Sequence, residues 1–540
     1  MPSTPRSHAV PTPLPTRLGW PLGLWAAGLL ASFWPTWTSG FALVQGGLGD
    51  SRLVNFILEH SYRWLMGMPL AQDLWSPPIF FPVPRIGFYT DLMLGVAPLY
   101  WPWRWLGAEP HTAYQFWMLS CWSLNFLAAY LLLRRGIAMS QPAAAAGAYL
   151  FAYASPRLAN IVHQQLNPQF FLLLSLGACL VLVRTGGGEA RPTRCWPWIA
   201  ALYGGLVLQL ATAVYPLIFL GLTGLVALLA TLADSHGRRT LATALCRHRW
   251  PLVVGGLIAI TLAAPLLTGY WETAITRSTQ ELSPSKLPRL MSWLLPGPLN
   301  LAYGWVHRLP ALAWAELPPH HNGVGVVTLI VSAAGLWWGR RRAVVRLTVL
   351  AVAALFLLTV RMPNDWSLWH WVREMMPGAA ALRGVGRVGS TLLYPAALGV
   401  ALLVERISPR GRWAVVAVLA VVAAEQLHRP LVFDKVAAAD RVTSIAATLP
   451  PTATAFLMVG QPDTCCIHDD AAWVAFASGV PTVNGRSGVK PRLWSLSNVW
   501  IDDAEDEERV RTRLAYWCRK KKLDRRGVAW ITAPPPLPPS

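Results

Sequence analysis

Charge is scarce in this sequence, and negative charge is the scarcest. Only 13% of the 540 residues are Asp, Glu, Lys or Arg, about half the share of an ordinary soluble domain. The 26 acidic residues face 46 basic ones, for a formal net charge of +20. That balance invites a nucleic-acid reading, but no basic face is built. The basic residues sit instead in short loops between apolar blocks, which excludes nucleic acid as the natural partner. The seven Cys show no metal-ligand spacing, and no segment repeats at a fixed period, so neither a cysteine zinc site nor a solenoid is indicated.

What is abundant is apolar. Hydrophobic residues make up 54% of the chain and the mean hydropathy is +0.39. They cluster in blocks of about the length that a 30 Å hydrocarbon core asks of a helix. The 29 Trp suit the headgroup boundary, where an amphipathic ring is at home. The expected fold class is therefore an α-helical polytopic membrane protein with about eleven transmembrane helices. The spans fall near 18–37, 113–133, 142–156, 168–183, 196–212, 215–233, 251–270, 323–339, 345–360, 388–404 and 413–428. The first block follows Arg6 and Arg17 and ends in Trp34-Pro35-Thr36-Trp37 with no clean small-x-small site, so it reads as an uncleaved span rather than a signal peptide.

The loops set the orientation. Arg134/Arg135, Arg184/Arg191/Arg194, Arg238/Arg239/Arg247/Arg249, Arg340/Arg341/Arg342 and Arg406/Arg410/Arg412 fall on one side with Arg6 and Arg17, and that side is predicted to be cytoplasmic. The parity holds only if Leu92 to Leu106, which carries Pro98, Pro102 and Arg104, is an amphipathic or re-entrant segment rather than a span. Residues 1–17 then form a cytoplasmic N-terminus, and 18–428 form the transmembrane domain with large outer loops 38–112 and 271–322 and a smaller one at 361–387. Residues 429–533 form a small α+β domain outside the cytoplasm, followed by a Pro-rich tail, 534–540. The α+β assignment rests on β-like runs at Thr454 to Val459 and Trp473 to Ala477 and on an acidic-then-basic helix around Asp502 to Lys522. Cys121 and Cys179 lie in apolar blocks, and Cys195 and Cys246 in basic loops. In the outer domain a bridge from Cys465 or Cys466 to Cys518 and unpaired thiols are both open.

Polar residues that could carry chemistry concentrate in the outer loops. Gly46-Gly47-Leu48-Gly49-Asp50-Ser51-Arg52 leads into a helix-like run, Leu53 to Met66. Asp50 there is either a helix cap or a carboxylate placed to take a proton or bind a metal. Asp73 and Asp91 are second-carboxylate candidates, and Asp91 has the same capping alternative. Trp75-Ser76-Pro77-Pro78-Ile79-Phe80-Phe81-Pro82 is a stiff segment suited to covering a lipid chain or sugar ring, or to a plain turn. His163, Gln164, Asn167 and Gln169 form a polar patch at the outer end of a helical hairpin, where they are either solvated or hydrogen-bonded to a sugar or phosphate. Glu316 is an outer-face acid. His320 and His321, being adjacent, do not share a helix face and make a weak zinc signal. The literal G-x-G-x-x-G at Gly384 to Gly389 lacks a preceding strand and opens a membrane span, so it is not a dinucleotide site. It leaves a helix N-terminus flanked by Arg383 and Arg387, suited to a phosphate or to lipid headgroups.

Several of these segments together resemble bacterial membrane proteins of the GT-C glycosyltransferase superfamily. They are Gly49-Asp50 with the run to Trp64, Ser76 to Pro82, Asn125 to Arg135, Ser155-Pro156-Arg157-Leu158-Ala159 with His163 to Leu166, Leu382 to Arg387, and Thr482-Val483-Asn484-Gly485-Arg486-Ser487-Gly488. The likeness runs over most of the chain. It implies transfer of a sugar from a polyprenyl-phosphate carrier, with inversion, on the extracytoplasmic face. It also implies an Asp in the first outer loop as base or metal ligand, which Asp50 matches by position. The re-entrant outer segment is a feature of the same superfamily. Here Asp50 is followed by Ser51 and Arg52 rather than by a second acid, so a divalent metal is an open cofactor.

The expectation is thus a membrane glycosyltransferase of the bacterial inner membrane. Asp50 acts as catalytic base with Asp91 or Glu316 as helper. Arg383 and Arg387 hold the donor phosphate, and Arg52, His163 and Gln164 contact substrate. Its partners are a polyprenyl-phosphate-sugar, an envelope glycan, lipid or protein acceptor, and the bilayer. Two rivals stand beside it. A flippase for a lipid-linked glycan would place charges near mid-membrane, and few are found. A non-catalytic assembly protein would work through its outer tail.

Overall fold

Small residues set the centre of the fold. In the computed structural model, which describes residues 19–186, 195–276, 283–309, 321–376, 379, 382, 384–462, 464 and 466–535, the Gln141–Tyr153 helix is buried at every position from Ala143 to Tyr153. Its Ala and Gly residues let neighbouring backbones come close, as packing between helices in lipid favours. A Cβ built on Gly147 would lie 2.7 Å from the Ala397 carbonyl, and one on Gly335 only 1.8 Å from the Gly399 carbonyl. The Val326–Gly339, Leu393–Ile407 and Gln141–Tyr153 helices therefore form one close-packed seam, and aromatic side chains such as Trp117, Trp122 and Tyr153 fill the space beside it.

Every predicted span falls on a helix: Gly19–Ser32, Pro110–Leu131, Gln141–Tyr153, Phe170–Gly186, Trp196–Thr212, Val214–Ala233, Ser235–Thr276, Val326–Gly339, Ala343–Thr359, Leu393–Ile407 and Arg412–Glu425. Among the described residues five helices are long and apolar enough to cross a membrane, or six if the pair bent by 91° at Thr359 is one span. The chain is a membrane protein on that ground, but length and composition do not establish eleven crossings. A 13-residue helix such as Gln141–Tyr153 reaches only about 20 Å, short of a hydrocarbon core of about 30 Å. Leu92 to Leu106 holds no continuous helix, only a 3-10 turn, Ala97–Leu99, and the five-residue Trp101–Trp105. The basic stretch from Arg238 to Arg249, predicted as a loop, is instead part of the long Ser235–Thr276 helix.

Among the described residues the tail contains the Lys435–Ala446, Ile467–Ser478 and Ala504–Lys521 helices and three strands. Strand β3 (Ala455–Val459) pairs in parallel with β4 (Val528–Thr532), whereas β1 (Leu43–Gln45) and β2 (Val432–Asp434) pair antiparallel and tie the first loop to the start of the tail. The Ala504–Lys521 helix has Glu505, Asp506 and Glu507 in its first turn, Arg519, Lys520 and Lys521 in its last, and an Asp503 cap, an arrangement that opposes the helix dipole at both ends. The β-like run Trp473 to Ala477 proves helical, inside Ile467–Ser478, which ends at the left-handed Gly479. A short apolar run buried on all sides carries no period to tell strand from helix. The tail's core also includes Leu53, Phe56, Ile79, Phe80, Ile86 and Tyr89 of the first loop. Cys518 is a free, buried thiol, so no bridge to it forms, and Cys466 is disulfide-bonded.

Candidate active site

The glycines before Asp50 aim it. Gly46 has φ +131° and donates its amide to the Leu431 carbonyl at 2.8 Å. The Ser51 hydroxyl accepts from the Gly47 amide at 3.2 Å and donates to the Val162 carbonyl at 3.4 Å. This clamp fastens the start of the Asp50–Leu65 helix to the loop that carries His163. Gly49 is the N-cap and Asp50 the first helical residue. The capping alternative for Asp50 is not realised, because its carboxylate turns to other partners.

Those partners are His163, with Nδ1 2.8 Å from Oδ2, and Arg486 of the tail, with Nη2 2.7 Å from Oδ1. The His163 contact is close but not aligned as a linear hydrogen bond. Such bonds commonly tighten only when substrate is bound. Arg486 Nη1 also lies 2.9 Å from Asp469 Oδ2, so one guanidinium bridges two carboxylates. Burial by itself would raise the Asp50 pKa. The His163 contact and the positive charges of Arg486 and Arg387 outweigh it and hold the carboxyl well below the usual range. Burial, reinforced by Arg387 and Arg486, lowers His163 below 6.5 against the pull of Asp50, leaving the imidazole neutral at pH 7. Asp469, with no side-chain exposure, is pushed up to about 6 by burial despite Arg486 and Arg52.

The other expected site residues divide sharply. Arg387 joins the cluster electrostatically, since its charge reaches Asp50, His163 and Asp91. Its guanidinium lies 4.9 Å from the centre of the Tyr215 ring. Asp91 is buried, raised to about 6 by desolvation, and accepts the Val214 amide at 3.1 Å. It thereby caps the Val214–Ala233 helix rather than its own segment. Arg52 is 1% exposed and paired with Asp470, which also takes Arg441 at 2.8 Å. Gln164 is fully buried and accepts from Asn167 at 2.8 Å and Trp122 at 3.4 Å. Both side chains are buried inside a packed network, in which Arg52 Nε and Nη2 and Gln164 Nε2 have no hydrogen-bond partner among the described residues. Glu316, Arg383 and His320 lie outside the described residues. Asp73 serves a turn, accepting the Trp75 amide at 3.1 Å.

Two quoted motifs prove to hold each other. Phe80 and Phe81 donate their amides to Asn484 and Thr482 at 2.8 and 3.0 Å, and the buried Phe80 ring stands 4.7 Å from Trp494. The Pro-aromatic run is therefore a docking strap for the tail loop that presents Arg486. The remainder of the polar patch is also architectural. Arg157 binds the Asn167 carbonyl at 3.0 Å and Gln169 at 3.3 Å, and Asn125 binds the same carbonyl at 2.7 Å. Arg486 and Asp469 were not foreseen as site residues. The signal for them was Asp469-Asp470 in a weakly charged chain and an Arg between Gly485 and Gly488.

A metal was an open cofactor. Both Asp50 oxygens are already engaged, and among the described residues no three His, Cys, Asp or Glu side chains gather in a group that could hold a metal ion. The donor set at Asp50 does not fit a divalent cation.

A family model described as a domain of unknown function, DUF6311, matches residues 72–428, which include Asp91, His163 and Arg387 but not Asp50, Asp469 or Arg486. No curated protein matches the sequence. Among solved structures the chain is similar to the Archaeoglobus fulgidus oligosaccharyltransferase in complex with Zn and sulfate, at 11% identity and TM-score 0.51, covering 93% of this chain and 67% of that one. It also matches the mycobacterial arabinofuranosyltransferase AftD at 15% identity and TM-score 0.48, covering 88% of this chain and 33% of that one. A third match is apo ArnT from Cupriavidus metallidurans at 15% identity and TM-score 0.40, covering 86% of this chain and 85% of that one. The fold is thus similar to that of the archaeal oligosaccharyltransferase, in line with the GT-C resemblance of the sequence.

Proposed function

We propose that this chain, which belongs to the DUF6311 family, is a GT-C membrane glycosyltransferase that moves a sugar from a polyprenyl-phosphate donor to an acceptor hydroxyl on the extracytoplasmic face of a bacterial inner membrane. In this reading the N-terminus lies in the cytoplasm, eleven helices cross, and residues 429–533 lie outside with loops 38–112 and 271–322. The observation that carries it is the meeting of Asp50, His163 and the charge of Arg387, from three loops distant in sequence, at one place.

The chemistry follows from the charges. A carboxylate held as low as Asp50 is a poor base, whereas a neutral imidazole can accept a proton near pH 7. The base therefore shifts from Asp50 to His163. The acceptor oxygen attacks the anomeric carbon from the face opposite the phosphate and its proton passes to His163 Nε2. The bond to the carrier breaks, and its electron pair stays on the phosphate. Asp50 orients the ring through Nδ1 and stabilises the imidazolium. Arg387, with Arg383 beside it in sequence, compensates the phosphate charge. The acceptor is an envelope glycan, lipid or protein.

The test is turnover of a polyprenyl-phosphate-sugar by purified protein. Asp50→Asn and His163→Gln should each lose about 100-fold or more, the usual scale of acid–base catalysis, while staying folded. Full activity in both variants would remove the reading. A second reading, a non-catalytic assembly protein, draws on the same double engagement of Asp50, which also suits a structural knot. It predicts that Asp50→Asn lowers the melting temperature and that no turnover is found in wild type.

A further inference from the structure

Metal-assisted group transfer places a cation against the carboxylate that holds the reacting partners. At Asp50 that place is filled by the protein itself. We propose that Arg486 is the resident cation of the Asp50 site, its guanidinium bridging Asp50 and Asp469 where a divalent metal would otherwise sit, so that the site works without a metal. This rests on the proposed active site.

Four observations support it. The two terminal nitrogens of one guanidinium reach two carboxylates, 2.7 Å to Asp50 Oδ1 and 2.9 Å to Asp469 Oδ2, a division of labour that a planar fork performs and an ammonium does not. The second Asp50 oxygen is already taken by His163 at 2.8 Å. The approach is built in, since a Cβ on Gly49 would meet Arg486 Nη1 at 2.9 Å. Finally, the neighbouring acid is accounted for separately, because Asp470 is held by Arg52 and Arg441. Asp469 has no such second arginine in contact, and its Oδ1 is buried without a hydrogen-bond partner. Without Arg486, Asp50 and Asp469 would lose the guanidinium that contacts both, and the opening it leaves between two carboxylates suits a cation. The tail therefore supplies as a side chain the charge that another protein would recruit from solution.

Mn2+ binding followed by electron paramagnetic resonance tests this in the full-length protein and needs no turnover, so it reads out even if the transferase assignment fails. Wild type should bind no Mn2+ that Asp50→Asn removes, and EDTA should leave any turnover unchanged. Arg486→Ala should gain a Mn2+ site that the Asp469→Asn change then abolishes. Stoichiometric Mn2+ on wild type that is lost in Asp50→Asn would overturn the proposal, as would a folded Arg486→Ala protein that gains no binding. If Arg486→Ala does not fold, Arg486→Lys and the wild-type comparison still decide. Lysine keeps a positive charge beside the two carboxylates and should exclude Mn2+, and a Mn2+ site in that variant would overturn the proposal.

Discussion

Arg486 Nη2 stands 2.7 Å from Asp50 Oδ1, joining the tail to the first loop through an ion pair. The arginine helps to hold Asp50 ionised and to keep the adjacent His163 neutral.

That coupling fixes the sign of a pH effect. His163 lies below its ordinary 6.5, so the acid limb of kcat/KM in wild type should fall below pH 6.5. Arg486 disfavours the imidazolium, so its removal lets the His163 pKa rise. In Arg486→Ala the limb should move to higher pH, and a pH–rate profile checks the direction. A limb that stays in place would detach His163 from the chemistry.

The buried Arg52–Asp470–Arg441 triad is a stability element. Its side chains are 1%, 3% and 7% exposed, and removing one partner of a buried ion pair leaves uncompensated charge at about 3–5 kcal/mol. Asp470→Ala should lower the melting temperature strongly, whereas a surface pair such as Arg85–Glu272, 40% and 55% exposed, should be nearly silent on loss. Thermal unfolding in detergent distinguishes the two.

The glycine seam predicts a position-dependent response to one methyl group. Gly335→Ala drives a carbon to 1.8 Å from the Gly399 carbonyl, while a Cβ on Gly204 or Gly224 meets nothing within 4 Å. The first should destabilise by about 1–3 kcal/mol or more, and the other two should be neutral or mildly stabilising, since Ala is the better helix former by about 1 kcal/mol.

Phe80 is fully buried against Trp494 and Gly485. Phe80→Ala should cost about 3–5 kcal/mol and loosen the strap that positions Arg486. Limited proteolysis should then cut the tail earlier, and turnover should fall although no site residue has changed.

Much of the architecture was legible because lipid imposes a simple grammar of apolar length and basic loops. The helix positions from Pro110 to Glu425 followed from it. The segments that misled were those where the grammar is silent. Trp473 to Ala477 is apolar on every side and buried in protein, and Arg238 to Arg249 carries loop-like charge on a continuous helix. Asp50 was visible because three glycines precede it. Arg486 was quoted within a motif yet given no role, because its partners are set by long-range packing that no local pattern encodes. The nearby Arg52–Asp470 bond, for example, spans 418 residues. Gln164 and Arg52 are both buried, and their neighbours in space, Trp122 and Asp470, are 42 and 418 residues away in sequence.

Because Phe56, Phe80 and Tyr89 sit inside the hydrophobic centre of the tail, no cut between the first loop and the tail leaves both interiors intact. A gene truncated at residue 428 would present a raw apolar face, and the tail transplanted alone would lack a wall of its own interior. Recombination among relatives should therefore inherit the first loop and the tail as a matched set, with substitutions in one answered by substitutions in the other.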